Sequence, residues 1–285
     1  MLNDYPCLKQ FAQFVQLQDL RPSTRSHYVR CIRRLGHHFS SDPAALSEVQ
    51  VREYLLHLRK VHYSPSTLRI ARASCRSFFV SCLRTGLAWT VFSDFKVRRP
   101  CPLPTILARS EVARLLAAIR SLRLRTCLRL IYHCGLRVGE AVSIEVSDIR
   151  CAQGRLHLRN TKGGQERYVP ISPAMIKELR AFWKTHRHPR WLFATEGACH
   201  LDATMVQRAV QKVRSELGLS EKVTPHTLRH CYATHLLEEG VSLRLISQFL
   251  GHRSLDTTAI YTHLTATTEA HARQALERLH QALGQ

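Results

Sequence analysis

Apolar residues recur along this chain at intervals of three and four, the spacing that lines one face of an α-helix. Before residue 90 the pattern predicts helices over 5–18, 23–39, 47–61 and 66–86. The second and fourth open alike, as Arg21-Pro22-Ser23-Thr24 and Tyr63-Ser64-Pro65-Ser66-Thr67. Proline suits a first helical turn, and Ser or Thr there can accept hydrogen bonds from orphaned amides. Further on, Ser110-Glu111 is expected to cap a helix through Ile119, and a second helix fits 123–135, where Gly135 supplies a C-terminal stop. A short helix follows from Val138. Arg155-Leu156-His157-Leu158 and Glu166-Arg167-Tyr168-Val169 then alternate with the period of a strand around Asn160-Thr161-Lys162-Gly163-Gly164, which reads as a hairpin with Lys162 in its connection. Helices fit 173–185, 202–217, 226–239 and 242–250, followed by a short one over 256–262 and a terminal one over 266–282. The expected fold is therefore mainly α, with one small antiparallel sheet in its second part.

The two parts are separated by Lys96-Val97-Arg98-Arg99-Pro100-Cys101-Pro102-Leu103-Pro104. Three prolines in five residues cannot sit inside a helix, and each biases its predecessor toward an extended backbone. The basic residues before them favour an exposed strap. We read 96–107 as a linker between a first domain, 1–95, and a second, 108–285. With 285 residues the chain has room for two domains that each bury a core.

Charge narrows the function. The chain holds 42 Lys and Arg against 21 Asp and Glu, a formal net of +21. Such an excess repels itself in a compact state and implies a polyanionic partner, nucleic acid first. In residues 1–103 the balance is 16 basic to 6 acidic. There Arg30, Arg33 and Arg34 on one predicted helix, and Arg69, Arg72 and Arg76 on another, are spaced to share a face. A charge run is ordinarily a solvated face, but two basic helices with few acidic neighbours suit tracking of a phosphate backbone. No apolar run reaches the 18 or so residues of a spanning helix, so a membrane role is not expected. The opening Met1-Leu2-Asn3-Asp4-Tyr5-Pro6 lacks the character of a signal peptide, which makes the cytosol the expected compartment. Ten cysteines include no Cys-x-x-Cys pair, so we expect buried or half-buried free thiols rather than a metal site or disulfides.

The candidate chemistry lies in the last third. Pro225-His226-Thr227-Leu228-Arg229-His230 sets a histidine and an arginine one helical turn apart. Leu250-Gly251-His252-Arg253 adds a second histidine, and Tyr261 in Thr257-Thr258-Ala259-Ile260-Tyr261 follows nine residues later. Breaking a phosphodiester needs fixed positive charge against the non-bridging oxygens, an in-line nucleophile and a proton for the leaving alkoxide. Arginine meets two phosphate oxygens at once, and tyrosine can act as a nucleophile that stores the bond covalently. Taken singly, each residue has a structural explanation. Arg137 could cap a helix C-terminus and Lys162 could be a solvated turn residue. His226 at a helix start and Arg229 one turn later could be structural, His252 after Gly251 could cap the preceding helix, and Tyr261 could be a half-buried aromatic.

Their order and spacing, with the flanks Thr224-Pro225, Ala233-Thr234-His235-Leu236-Leu237 and Thr257-Thr258, resemble the tyrosine recombinases, the phage-integrase and Xer family. The resemblance covers roughly 108–265 closely and the basic helical region before it more loosely. Gly139 and Cys231 stand where other small residues are commoner in the family. The resemblance implies a four-helix, SAM-like core-binding domain followed by a mostly helical catalytic domain. It makes Arg137, in Gly135-Leu136-Arg137-Val138-Gly139-Glu140, and Arg229 the two arginines on the phosphate, with Glu140 supporting the first. It makes Lys162 the donor to the 5′ oxygen, His226 the proton acceptor, His252 a hydrogen-bond partner of the transition state and Tyr261 the nucleophile of a 3′-phosphotyrosyl bond. It also implies double-stranded DNA as partner, a clamp of two domains around the duplex, a tetramer on paired sites, and no metal or other cofactor. The spacing of Ala270, Leu276, Leu279 and Leu283 suits a tail helix docked on a neighbouring subunit or folded back on its own domain. No additional arm-binding segment is evident at the start, which favours an Xer-like or mobile-element recombinase. The alternatives are a type IB topoisomerase-like enzyme and a catalytically silent DNA-binding architectural protein of the same fold.

Overall fold

The computed structural model describes residues 5–98, 103–159, 166–195, 199–220 and 222–251. The chain divides into two compact units, Met1–Pro102 and Leu103–Gln285.

The first unit is helical: α1 (Pro6–Leu17), α2 (Pro22–Phe39), α3 (Glu48–Lys60), α4 (Pro65–Arg76) and a short α5 (Val91–Asp94). Its core gathers Leu8, Phe11, Ile32, Leu35, Leu55 and Phe78. Two expectations for helix starts part company here. In α4, Ser64 accepts from the Thr67 N–H at 3.2 Å with Pro65 in the first turn. In α2, Arg21 occupies the corresponding position without a side-chain cap, and Ser23 and Thr24 lie inside the helix. The expected helix over 66–86 is shorter than its apolar pattern. It passes at Ser77 into a π-helical turn that ends at Cys82, where the Leu83 N–H donates to Phe78 O at 2.9 Å. The wider turn accommodates two consecutive, fully buried aromatics, Phe78 and Phe79, whose ring centroids lie 4.9 Å apart. α5 has no counterpart in the sequence reading, because four residues carry no periodicity. It is held from a distance: the Glu48 carboxylate accepts from the N–H groups of Thr90 and Val91 at 2.8 and 2.7 Å.

The second unit runs α6 (Arg109–Ala118), α7 (Leu122–Cys134), α8 (Val138–Val142), β1 (Ile149–Arg150), β2 (Arg155–Leu158), β3 (Arg167–Pro170), α9 (Pro173–Trp183), α10 (Ala203–Glu216), α11 (Pro225–Glu238) and α12 (Leu243–Leu250). α6 starts one residue before Ser110, so the expected Ser110 cap is replaced by Glu111, which accepts from the Ala108 N–H at 2.8 Å. The hairpin gains a third strand in the antiparallel order β1-β2-β3, with Leu156 opposite Val169 and Leu158 opposite Arg167. Leu156, Leu158 and Val169 point into a core that includes Leu115, Leu128 and Ile131. α11 is enclosed along most of its length, with Leu228, Arg229, Cys231, Ala233 and Thr234 all buried. The expected helices over 256–262 and 266–282 lie outside the described residues.

Of the described cysteines none is in a disulfide, and Cys151 and Cys199 are exposed rather than buried or half-buried as expected. No helix among the described residues is long and apolar enough to cross a membrane.

Candidate active site

The site begins where α7 stops. Gly135 closes that helix at φ 61°, a left-handed conformation that a Cβ would strain. The chain then swings back to extended geometry at Arg137 and starts α8. Glu140, in the first turn of α8, accepts from the Arg137 N–H and from Arg137 Nη1, both at 2.8 Å. A carboxylate there meets the orphaned amides of a helix start and also fixes the arginine that precedes the helix.

The same carboxylate holds a second guanidinium. Arg167, the first residue of β3, donates through Nη1 to Oε1 and through Nη2 to Oε2 of Glu140, each at 2.9 Å. Its Nε donates to Phe249 O in the last turn of α12 at 2.8 Å. Arg229 approaches from α11, with Nη1 3.9 Å from Glu140 Oε2. Glu140 is therefore a buried acceptor among three arginines. Burial alone would raise its pKa, but the hydrogen bonds and charge of Arg167, and then those of Arg137, outweigh this and hold it below the usual carboxylate range.

Arg229 is 1% exposed, the most enclosed charge among the described residues. Nη1 donates to Gly135 O at 2.7 Å and Nη2 to Leu250 O at 2.6 Å. Both carbonyls belong to helix C-termini, of α7 and α12, where acceptors lack intrahelical partners and the helix dipole favours a cation. One side chain thus binds two helix ends to α11 and brings a fixed charge beside Glu140.

His226 sits in the first turn of α11, where Pro225 occupies a position that needs no N–H. It borders a cleft of about 420 Å³ lined also by Val138, Gln207, Gln211, Arg214 and Thr224. Its ring meets that of His230 edge-on, centroids 4.5 Å apart. Desolvation, and then the charges of Arg229 and Arg137, hold the His226 imidazole below its ordinary value. His230 goes further, from the ordinary 6.5 to about 4, through burial followed by repulsion from His226 and Arg229. Both rings are therefore neutral near pH 7.

The structure thus gathers Arg137, Glu140, Arg229 and His226 in one region and adds Arg167, which the sequence reading left without a role. Lys162, His252 and Tyr261 lie outside the described residues. In the first unit, Arg30, Arg34 and Arg76 are exposed, whereas Arg33, Arg69 and Arg72 are half-buried. The expectation of one open basic face needs correction at Arg72, whose Nε donates to Phe92 O at 2.7 Å and so anchors the α5 turn. Arg69 donates to Ser66 Oγ at 3.2 Å and borders a groove of about 460 Å³ between α2 and α4.

Comparison with known proteins agrees with this architecture. Residues 105–268 match the model of the phage integrase family, and residues 7–89 match that of the phage integrase N-terminal SAM-like domain. The tyrosine recombinase XerA of Thermococcus kodakarensis is 33% identical over 275 residues, covering 95% of this chain and 94% of the relative. The tyrosine recombinase XerC of Rhizobium meliloti is 34% identical over 236 residues, 78% of this chain and 74% of the relative. Among solved structures, a lambda integrase dimer bound to a COC′ core site superposes with a TM-score of 0.70 at 19% identity, over 90% of this chain and 75% of that one. The chain belongs to the phage integrase family and is a tyrosine recombinase with a SAM-like N-terminal domain and a mostly helical catalytic domain.

Proposed function

We propose that this chain is a site-specific recombinase that cuts and rejoins double-stranded DNA through a 3′-phosphotyrosyl intermediate. Tyr261 Oη attacks the scissile phosphorus, and its proton passes to His226, which is neutral near pH 7. The bond from phosphorus to the 5′ oxygen breaks, and Lys162 protonates that oxygen. Arg137 and Arg229 offset the charge that gathers on the non-bridging oxygens, and His252 adds a hydrogen bond to them. Attack by the 5′ hydroxyl of another strand on the phosphotyrosyl bond reverses these steps, so religation draws on no nucleotide, metal or other cofactor.

The observation that carries this reading is the fixed placement of Arg137 and Arg229 around one buried carboxylate, with neutral His226 beside them, in a chain of this family. The net charge of +21 supports DNA as partner. Residues 1–95 serve as the core-binding domain, using Arg30, Arg33, Arg34, Arg69 and Arg76, and 108–285 as the catalytic domain, joined by 96–107. Exchange in pairs of strands calls for a tetramer of this chain, alone or with a second recombinase, acting at the nucleoid in the cytoplasm. Integration or excision of a mobile element, inversion and dimer resolution all share this chemistry.

The test is covalent trapping on nicked suicide substrates without added metal, for the wild type and Tyr261→Phe. An adduct through a 3′ phosphate in the wild type alone supports the proposal. Tight binding without attachment moves a silent architectural role to the front. Attachment on unrelated sequences with relaxation of supercoils by a monomer points to the topoisomerase-like alternative.

A further inference from the structure

Arg167 is an arginine on the inward face of a strand. It pairs across the sheet with buried Leu158 and lies two residues from buried Val169. Such a position ordinarily takes an aliphatic residue, and an arginine is tolerated there only when every buried donor it carries is matched. The match is close to complete. Both oxygens of Glu140 are engaged at 2.9 Å by the two Nη atoms, and Nε reaches Phe249 O at 2.8 Å.

These contacts tie together three pieces of chain that carry the proposed chemistry. Each Glu140 oxygen accepts once from Arg167 and once from Arg137, so the fork fixes the plane of the carboxylate against which Arg137 is set. The end of α12 is held through Phe249 and by packing: a Cβ on Gly251 would stand 3.0 Å from Arg167 Cδ. His252 follows directly in sequence. β3 itself is the strand that leaves the connection carrying Lys162.

We propose that Arg167 is a positioning residue of the cleavage reaction, acting through Glu140 to hold Arg137 in line with the scissile phosphate; the inference rests on the recombinase reading above. A lysine at 167 keeps the charge but offers a single point instead of a planar fork, so it cannot fix both carboxylate oxygens in one plane. Glu140 then turns and Arg137 turns with it, while the DNA-facing surfaces are untouched.

The experiment measures single-turnover formation of the covalent adduct at saturating nicked suicide DNA. It compares wild type, Arg167→Lys, Glu140→Gln and the double variant, with DNA affinity and helix content measured in parallel. Arg167→Lys is expected to slow attachment by about 10²-fold, the scale of a small misplacement of a catalytic group, with affinity and helix content unchanged. The double variant is expected to be no slower than the slower single variant, because both changes break the same link. Wild-type rates in Arg167→Lys, or losses that multiply in the double variant, overturn the inference. So does loss of fold or DNA affinity together with cleavage in Arg167→Lys, which makes Arg167 a residue of the core alone. An absent adduct in the wild type brings down the recombinase reading itself, a separate result.

Discussion

Arg229 donates to the carbonyl of Gly135 at 2.7 Å, so a catalytic candidate on α11 also completes the C-terminus of α7. Position 135 is constrained twice over. Its φ of 61° is costly for any residue with a side chain, and a Cβ there would run into the ring of Tyr232. Gly135→Ala is therefore expected to destabilise the second unit by about 2–5 kcal/mol, combining left-handed strain with overpacking. Chemical denaturation of the two proteins checks this. An unchanged midpoint shows that the α7–α8 turn relaxes freely.

The two arginines of the proposed site should respond differently to removal. Arg229 is enclosed and satisfies two helix-end carbonyls, so Arg229→Ala leaves buried acceptors unpaired and is expected to cost about 3–5 kcal/mol of stability as well as activity. Arg137 has a side chain 26% exposed and bonds to Glu140. Arg137→Ala is expected to keep the fold and DNA affinity while slowing covalent attachment by at least about 10²-fold, as when a charge-stabilising donor is lost. Melting curves beside adduct yields separate the two. Equal loss of stability in both variants contradicts the division of roles.

Much of this was open to reading before the structure, and the gaps have physical causes. Helices α2, α3, α7 and α10 follow from apolar spacing and from Pro22, Ser47, Gly135 and Asp202 at their ends, because local propensity and core packing agree there. The motif residues Arg137, His226 and Arg229 stand out by type and order. Arg167 does not stand out in the sequence, because a polar residue near the start of a strand reads as exposed. Yet the alternation Arg167-Tyr168-Val169 puts Arg167 on the same side as buried Val169, and a buried arginine demands a carboxylate from elsewhere. Its partner, Glu140, is 27 residues away in sequence, and only the fold brings them together. Arg72 misled in the opposite sense. Its helical spacing put it on a basic face, while its contact with Phe92 O depends on the position of the short α5 turn, which carries no pattern of its own.

Lys162 is the proposed donor to the departing 5′ oxygen. Loss of that proton should matter only when the leaving group is a poor one. Lys162→Ala is expected to cleave ordinary nicked DNA slowly. It should recover most of the wild-type rate on a substrate with sulfur in place of the bridging 5′ oxygen, because a thiolate departs without protonation. Single-turnover assays on the paired substrates decide the matter. A variant that stays slow on the sulfur substrate moves the general-acid role to another group.

The paired histidines make both stability and activity depend on pH, and the sign follows from the downward shifts. His230 is half-buried, facing His226 and Arg229, and stays neutral in the folded chain down to about 4, against an ordinary value of 6.5. Between those values the unfolded chain binds more protons than the folded one, so stability falls as pH falls from 6.5 toward 4. Downward shifts at His133, His226 and His235 act in the same direction. Denaturation midpoints taken across this window are expected to decline more steeply in the wild type than in His230→Gln, which has nothing to titrate at that position. The cleavage rate should show the companion effect. His226 accepts a proton only when neutral, so the acid limb of the single-turnover profile is expected below 6.5, the ordinary histidine value. An acid limb at or above that value shows that His226 does not set it, and a proton acceptor with an upward-shifted pKa takes its place in the mechanism.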